Sequence, residues 1–201
     1  MKTSNKLVFL RFSSLGDVAI SIPLIRCFLS KYPDTSITFV TKKNFTPLLY
    51  EFKKLDILEL DFNGRHSGFK GIFALYKDIK ELNPFGIVDL HGSLRTNILR
   101  LFFFFSSILY KKIHKGRIER KSLTRKNNKV LVPLTPVIHR YGDVLRKIGF
   151  PVDLSDHEFP SKFNTPKKFN DSFFNSKLKW IGIAPFAKHI GKIYPLDLTQ
   201  K

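Results

Sequence analysis

Short apolar runs alternate with stretches of helical period along most of this chain. Leu7–Phe12, Ser36–Thr41, Asp56–Asp61, Gly86–Leu90 and Ile108–His114 read as strands. Between them, Val18–Lys31, Phe45–Phe52, Phe69–Leu82 and Leu94–Phe105 repeat apolar positions at helical spacing. The connections are short, and two carry turn residues, Lys31-Tyr-Pro-Asp34 and Asn83-Pro-Phe-Gly86. Such alternation predicts βαβ units and therefore an α/β, Rossmann-like parallel sheet covered on both faces. A further helix is expected over Pro136–Ile148.

The pattern then fades. Residues 150–179 are rich in Pro, Asn, Ser, Asp and Lys without sustained period, and read as a linker. Trp180-Ile-Gly-Ile-Ala184 starts a new apolar run, expected to be the first strand of a second Rossmann-like domain. The reading divides the chain into an N-terminal domain (1–149), a linker (150–179) and a C-terminal stub (180–201). One strand cannot bury itself, so the chain is expected to be a C-terminally truncated form of something longer.

Composition narrows the class. The 201 residues are 43% hydrophobic and include 21 Phe, enough for a core and unlike a disordered chain. The one cysteine, Cys27, reads as a small buried hydrophobe in a reducing compartment. No secretory signal is convincing, because Arg11 breaks the first apolar run early. The run Ile98–Tyr110, itself broken by Arg100, Ser106 and Ser107, falls short of the roughly 20 residues of a spanning helix.

Charge changes the picture more. The formal net charge is +19, and Lys111–Lys129 holds nine Lys/Arg against one acid, Glu119. Nucleic acid, an anionic membrane face and a phosphorylated glycolipid are all attracted by such a surface, and a plain solvated face is the bland alternative. Nucleic acid is disfavoured: there is no RNP, KH or zinc-finger pattern, and aromatics do not interleave with the basic run.

Candidate chemistry lies in the turns that follow strands. In Ser14-Leu-Gly-Asp17 a capping box is one reading. The other makes Gly16 a point of close substrate approach and Asp17 a general base. A helix N-terminus keeps that carboxylate ionised but weakens it as a base; burial would act oppositely. The second turn, Asp89-Leu-His-Gly-Ser-Leu-Arg95, offers His91, Gly92, Ser93 and Arg95 to hydroxyl or phosphate oxygens, with Ser93 as an N-cap in the plainer reading. His139 and Arg140 open the helix near 140, and Lys188 and Lys192 flank Gly191. Metal binding is not expected, since the six His are scattered and there is no C-x-x-C pair. No Walker or G-x-G-x-x-G fingerprint occurs.

Taken together, Arg11-Phe-Ser-Ser-Leu-Gly-Asp-Val18, Asp89-Leu-His-Gly-Ser-Leu-Arg95, His139-Arg-Tyr141 and Gly182-Ile-Ala-Pro185 through Lys192-Ile-Tyr-Pro195 resemble glycosyltransferase family nine. That family includes the ADP-heptose:lipopolysaccharide heptosyltransferases. The resemblance implies a GT-B architecture, in which the N-terminal Rossmann-like half holds a lipid-linked acceptor and the C-terminal half a nucleotide-sugar. It implies metal-independent, inverting transfer with no cofactor beyond the nucleotide-sugar co-substrate. Asp17 is then the base. Ser14, Gly16, His91, Gly92, Ser93, Arg95 and Arg140 are acceptor-site candidates, and Lys188 and Lys192 face the donor diphosphate. Tyr194 stands where the family has Trp, and the donor domain's acidic and glycine-rich motifs have no counterpart.

The expected function is transfer of a sugar, ADP-heptose being the expected donor, to a phosphorylated lipopolysaccharide core acceptor. The site of action is the cytoplasmic side, peripheral at the inner face of the membrane, with little activity in this chain alone. The rival is a non-catalytic module that binds phosphorylated glycolipid or an anionic membrane surface.

Overall fold

The computed structural model describes residues 5–159, 181–187 and 189–199. The chain divides into two compact units, Met1–Phe159 and Pro160–Lys201. In the first, five strands, β1 (Lys6–Leu10), β2 (Ser36–Lys42), β3 (Leu55–Leu60), β4 (Gly86–Asp89) and β5 (Leu109–Lys112), form one sheet in the order β3-β2-β1-β4-β5. Every pairing is parallel, with Leu10 opposite both Val40 and Asp89, so the carboxyl ends of β2, β1 and β4 finish level.

The central strands are apolar on both sides because both sides are covered. On one face, α1 (Leu15–Lys31) and α5 (Val137–Lys147) pack Val18, Leu24, Tyr141 and Leu145 against Leu7, Phe9 and Val88. On the other, α2 (Gly68–Glu81) and α3 (Leu94–Phe102) bury Ile72, Leu75, Leu99 and Phe103 against Val8, Leu10 and Ile87. Cys27 lies buried in α1. Among the described residues no helix is long and apolar enough to cross a membrane.

Three expected elements of the first unit differ in the structure. Phe45–Phe52 is not an α-helix but a 3₁₀ segment over Lys43–Leu49, whose internal Pro47 lacks the amide an α-turn needs. The third α-helix stops at Phe102, and β5 shrinks to Leu109–Lys112 at the sheet edge, where one neighbour supplies all its ladder bonds. Conversely, the basic run forms a helix the sequence did not announce, α4 (Arg117–Thr124). It buries no residue, so it carries no apolar stripe to read.

In the second unit, residues 181–187 have no regular structure, so the expected strand Trp180–Ala184 is not present over its described part, Ile181–Ala184. These four residues are exposed and pair with no neighbouring strand among the described residues, and a strand exists only by its ladder. A 3₁₀ turn, Ile190–Lys192, and the four-residue α6, Leu196–Thr199, follow.

Candidate active site

Strand order dictates where a ligand fits. The chain leaves β1 for α1 on one face and leaves neighbouring β4 for α3 on the other. Two adjacent connections that part in opposite directions open a crevice at the carboxyl ends of their strands. The cavity there is lined by Arg11 and Asp17 after β1, by Ile113, Lys115 and Arg120 after β5, and by residues 134–137 with Arg140.

Arg11 holds this crevice together. It is buried to 7% exposure, and its Nη1 donates to the Leu90 carbonyl at 2.7 Å, crossing from the β1 turn to the β4 turn. Its Nη2 pairs with Asp17 Oδ2, and its guanidinium lies 5.9 Å from the ring centre of Tyr141 on α5. The Arg11 Nε has no hydrogen-bond partner among the described residues.

Asp17 forms the capping box that one reading of its turn expected. The Ser14 amide and hydroxyl donate to its Oδ2 at 3.1 and 2.9 Å, so it does cap α1. All of these contacts and the Arg11 pair fall on Oδ2; Oδ1 takes no bond among the described residues. The side chain keeps 32% exposure and borders a cavity of about 440 Å³. Burial works to raise its pKa, but the Ser14 donors and the Arg11 charge outweigh it and hold the carboxyl below the ordinary 3.8. Asp17 is therefore ionised at neutral pH, with one oxygen tethered and the other open.

The other polar walls of the cavity are mostly cationic. Arg11, Lys115, Arg120 and Arg140 surround the single carboxylate. Two pKa shifts report the same positive field. Lys115 is lowered by burial first and then by Arg11 and Arg117. His91 falls from 6.5 to about 4, again through burial first, then Arg11 and Lys115. An anionic ligand is what this potential favours.

The second turn is built on Asp89. Its buried Oδ1 accepts the amides of His91 and Gly92 at 2.9 and 2.8 Å, while the Tyr110 hydroxyl reaches Oδ2 at 3.3 Å. Gly92 has φ +55°, and a Cβ there would lie 2.9 Å from Ile113 Cγ2 and 3.1 Å from Lys115 Cε. That tight turn sets His91 against Phe12, ring centres 4.9 Å apart, with its Nδ1 buried and without a hydrogen-bond partner among the described residues. Ser93 caps α3 in reciprocal bonds with Thr96.

The remaining candidates separate. Arg140 reaches the cavity from α5, with its Nε on the Thr135 carbonyl at 2.9 Å and its Nη1 on the His114 carbonyl at 3.2 Å. Arg95 turns away: it donates to the His66 carbonyl at 2.6 Å and covers the Phe62 ring at 4.2 Å. Phe62 belongs to a separate hollow of about 560 Å³ beyond β2 and β3. Gly16 meets nothing within 4 Å of a hypothetical Cβ, which leaves room above the first turn of α1. His139 borders another hollow, beside Arg146 and Asp153. Lys188 lies outside the described residues, and Lys192 is exposed in the second unit.

Sequence reasoning missed Arg11, Lys115 and Arg120 as individual site residues. Arg11 stood in the quoted motif but looked like an interruption of a strand, and the other two dissolved into bulk charge. Among the described residues no three His, Cys, Asp or Glu side chains group as metal ligands.

The chain is thus a Rossmann-like parallel sheet with an ionised carboxylate among cations at its switch point. No family model matches the chain. It is similar to the lipopolysaccharide core heptosyltransferase OpsX of Haemophilus influenzae, 26% identical over 95 residues, which is 47% of this chain and 26% of that protein. The fold matches the glycosyl transferase family 9 structure from Veillonella parvula with TM-score 0.68 at 17% identity, covering 98% of this chain and 58% of that one. It also matches E. coli heptosyltransferase WaaC with ADP, TM-score 0.51 at 13% identity, over 74% of this chain and 49% of WaaC. The chain thus spans about a quarter of the curated relative and about half of the solved structures.

Proposed function

We propose that this chain is the acceptor-binding half of a heptosyltransferase-type glycosyltransferase acting on a phosphorylated lipopolysaccharide core. The observation that carries the reading is Asp17 itself, tethered through Oδ2 and open through Oδ1 within a cavity of cations.

In the proposed reaction, Oδ1 takes the proton of an acceptor hydroxyl as its oxygen bonds to the anomeric carbon of the donor sugar. The bond from that carbon to the diphosphate breaks, the nucleoside diphosphate leaves with the electron pair, and Asp17 ends protonated. A single displacement of this kind inverts the anomeric centre. Arg11 keeps the carboxylate charged and fixed, at the expense of basicity. Lys115, Arg120 and Arg140 would take an acceptor phosphate, and Lys192 the donor diphosphate, so that no metal is required. Acceptors of this class are anchored in lipid, which fits a strongly basic protein working at an anionic cytoplasmic membrane face.

The test is calorimetric titration of the chain with phosphorylated and dephosphorylated core oligosaccharide. The phosphorylated form binds more tightly by about tenfold or more, and Arg120→Gln removes most of that preference. Equal affinity for the two forms refutes the reading.

A further inference from the structure

The layer made by α2 and α3 has an outer face unlike the rest of the surface. Phe69 and Phe73 of α2, Leu94 and Leu101 of α3, and Phe104 and Phe105 just beyond α3 are all exposed. Phe104 and Phe105 stand at 70% and 95% exposure, rings 5.0 Å apart. They are not isolated. Leu94 and Leu101 recur at helical spacing on α3, and Phe102 joins the two helices by edge contacts to Phe69 at 6.1 Å and Phe73 at 5.7 Å.

Cations are woven into the same face. The Lys77 ammonium lies 5.0 Å from the Phe73 ring centre, Lys80 lies 5.7 Å from Tyr76, and Lys112 of β5 donates to Asn97 of α3 at 3.0 Å. Of the acids on α2, Asp78 is occupied by Arg65 and His66, leaving Glu81. Water solvates such a face poorly, since contiguous exposed apolar surface marks an interaction site. Aromatic and leucine side chains ringed by lysines fit the headgroup boundary of an anionic bilayer, where rings sink and ammonium groups meet lipid phosphates. A second copy of the chain fits less well, because a self-complementary contact would set these lysines against their own kind.

We infer that the α2–α3 face is the membrane-docking surface, with Phe104 and Phe105 as the inserted tip. This rests on the anionic-surface part of the reading above and names which side of the fold meets lipid.

The experiment is co-sedimentation of the full chain with vesicles of phosphatidylglycerol and phosphatidylcholine, and of phosphatidylcholine alone. Binding is expected to the first and to fade with salt. The double variant Phe104→Ser, Phe105→Ser should lower partitioning about tenfold or more while its thermal unfolding stays cooperative. Tyr50→Ser, removing an aromatic 73% exposed outside α2 and α3, should change it less than about twofold. If the double variant misfolds, Phe105→Trp decides, because its added emission should shift to the blue on vesicles. Undiminished binding of the double variant, equal loss with Tyr50→Ser, an unshifted Phe105→Trp, or loss of a dimer instead of lipid binding would each overturn the assignment. These vesicles hold no sugar acceptor, and Asp17→Asn should bind them like the parent. Failure of sugar transfer therefore leaves this result standing, and failure of docking leaves the transfer reading standing.

Discussion

Arg11 and Asp17 form an ion pair across the β1 turn, and the same guanidinium grips the Leu90 carbonyl at 2.7 Å. One side chain therefore fixes both the charge on the carboxylate and the spacing of the two turns. Lysine has one ammonium where arginine has a fork, so Arg11→Lys cannot serve both partners. The expected outcome in urea unfolding is a loss of about 1–3 kcal/mol. The Asp17 carboxyl resonance should titrate closer to 3.8 than in the parent. A variant of parental stability with unmoved Asp17 would separate the pair from the fold.

Acid should weaken the protein in two windows. His91 is held at about 4 in the folded state against 6.5 ordinarily, by burial and by the nearby cations. Between those values the unfolded chain binds a proton that the folded chain refuses, so stability falls as pH drops from 6.5 towards 4. Asp17, depressed, contributes stability that is intact above 3.8 and is lost only as pH falls through its lower folded value. His91→Gln should flatten the first window and leave the second, as measured by denaturant midpoints at pH 7 and about pH 5.

Asp89 behaves in the opposite sense. Burial raises its pKa, so ionising it opposes folding, and its contribution declines as pH rises through the raised value. Asparagine keeps an oxygen for the His91 and Gly92 amides. Asp89→Asn should leave stability within about 1 kcal/mol of the parent at pH 7, or above it, whereas Asp89→Ala should lose about 1–3 kcal/mol. Equal melting temperatures for the two variants would contradict this account of the turn.

The two turn glycines should respond differently. Gly92→Ala must adopt φ +55° and push against Ile113, and should lose on the order of 1–3 kcal/mol. Gly16→Ala meets no atom within 4 Å and sits in a helix, so stability should hold or rise by about 0.5 kcal/mol. If Gly16 admits the acceptor, that variant binds it more weakly without being less stable.

Much of this arrangement could be read from the chain because burial leaves a pattern. Strands β1, β2 and β4 are doubly covered and thus nearly continuous in apolar residues, and the small polar residues after β1 and β4 mark the switch point. Legibility failed where structure depends on partners distant in sequence. Arg11 is buried only because Leu90 and Asp17 receive it, and α4 lies on the surface and buries no residue. Lys115 and Arg120 were visible as charge, yet only the fold brings them to Asp17. Arg95 had the right chemistry in the right turn, but Phe62 and the His66 carbonyl draw it elsewhere.

The central claim is that Asp17 has a second task beyond capping α1. In any preparation where sugar transfer is measurable, Asp17→Asn keeps an oxygen for Ser14 and removes the proposed base. Single-turnover transfer with saturating acceptor should fall by about 10²–10⁴-fold while acceptor affinity stays within about twofold. Undiminished transfer by Asp17→Asn would leave the carboxylate as a helix cap and nothing more.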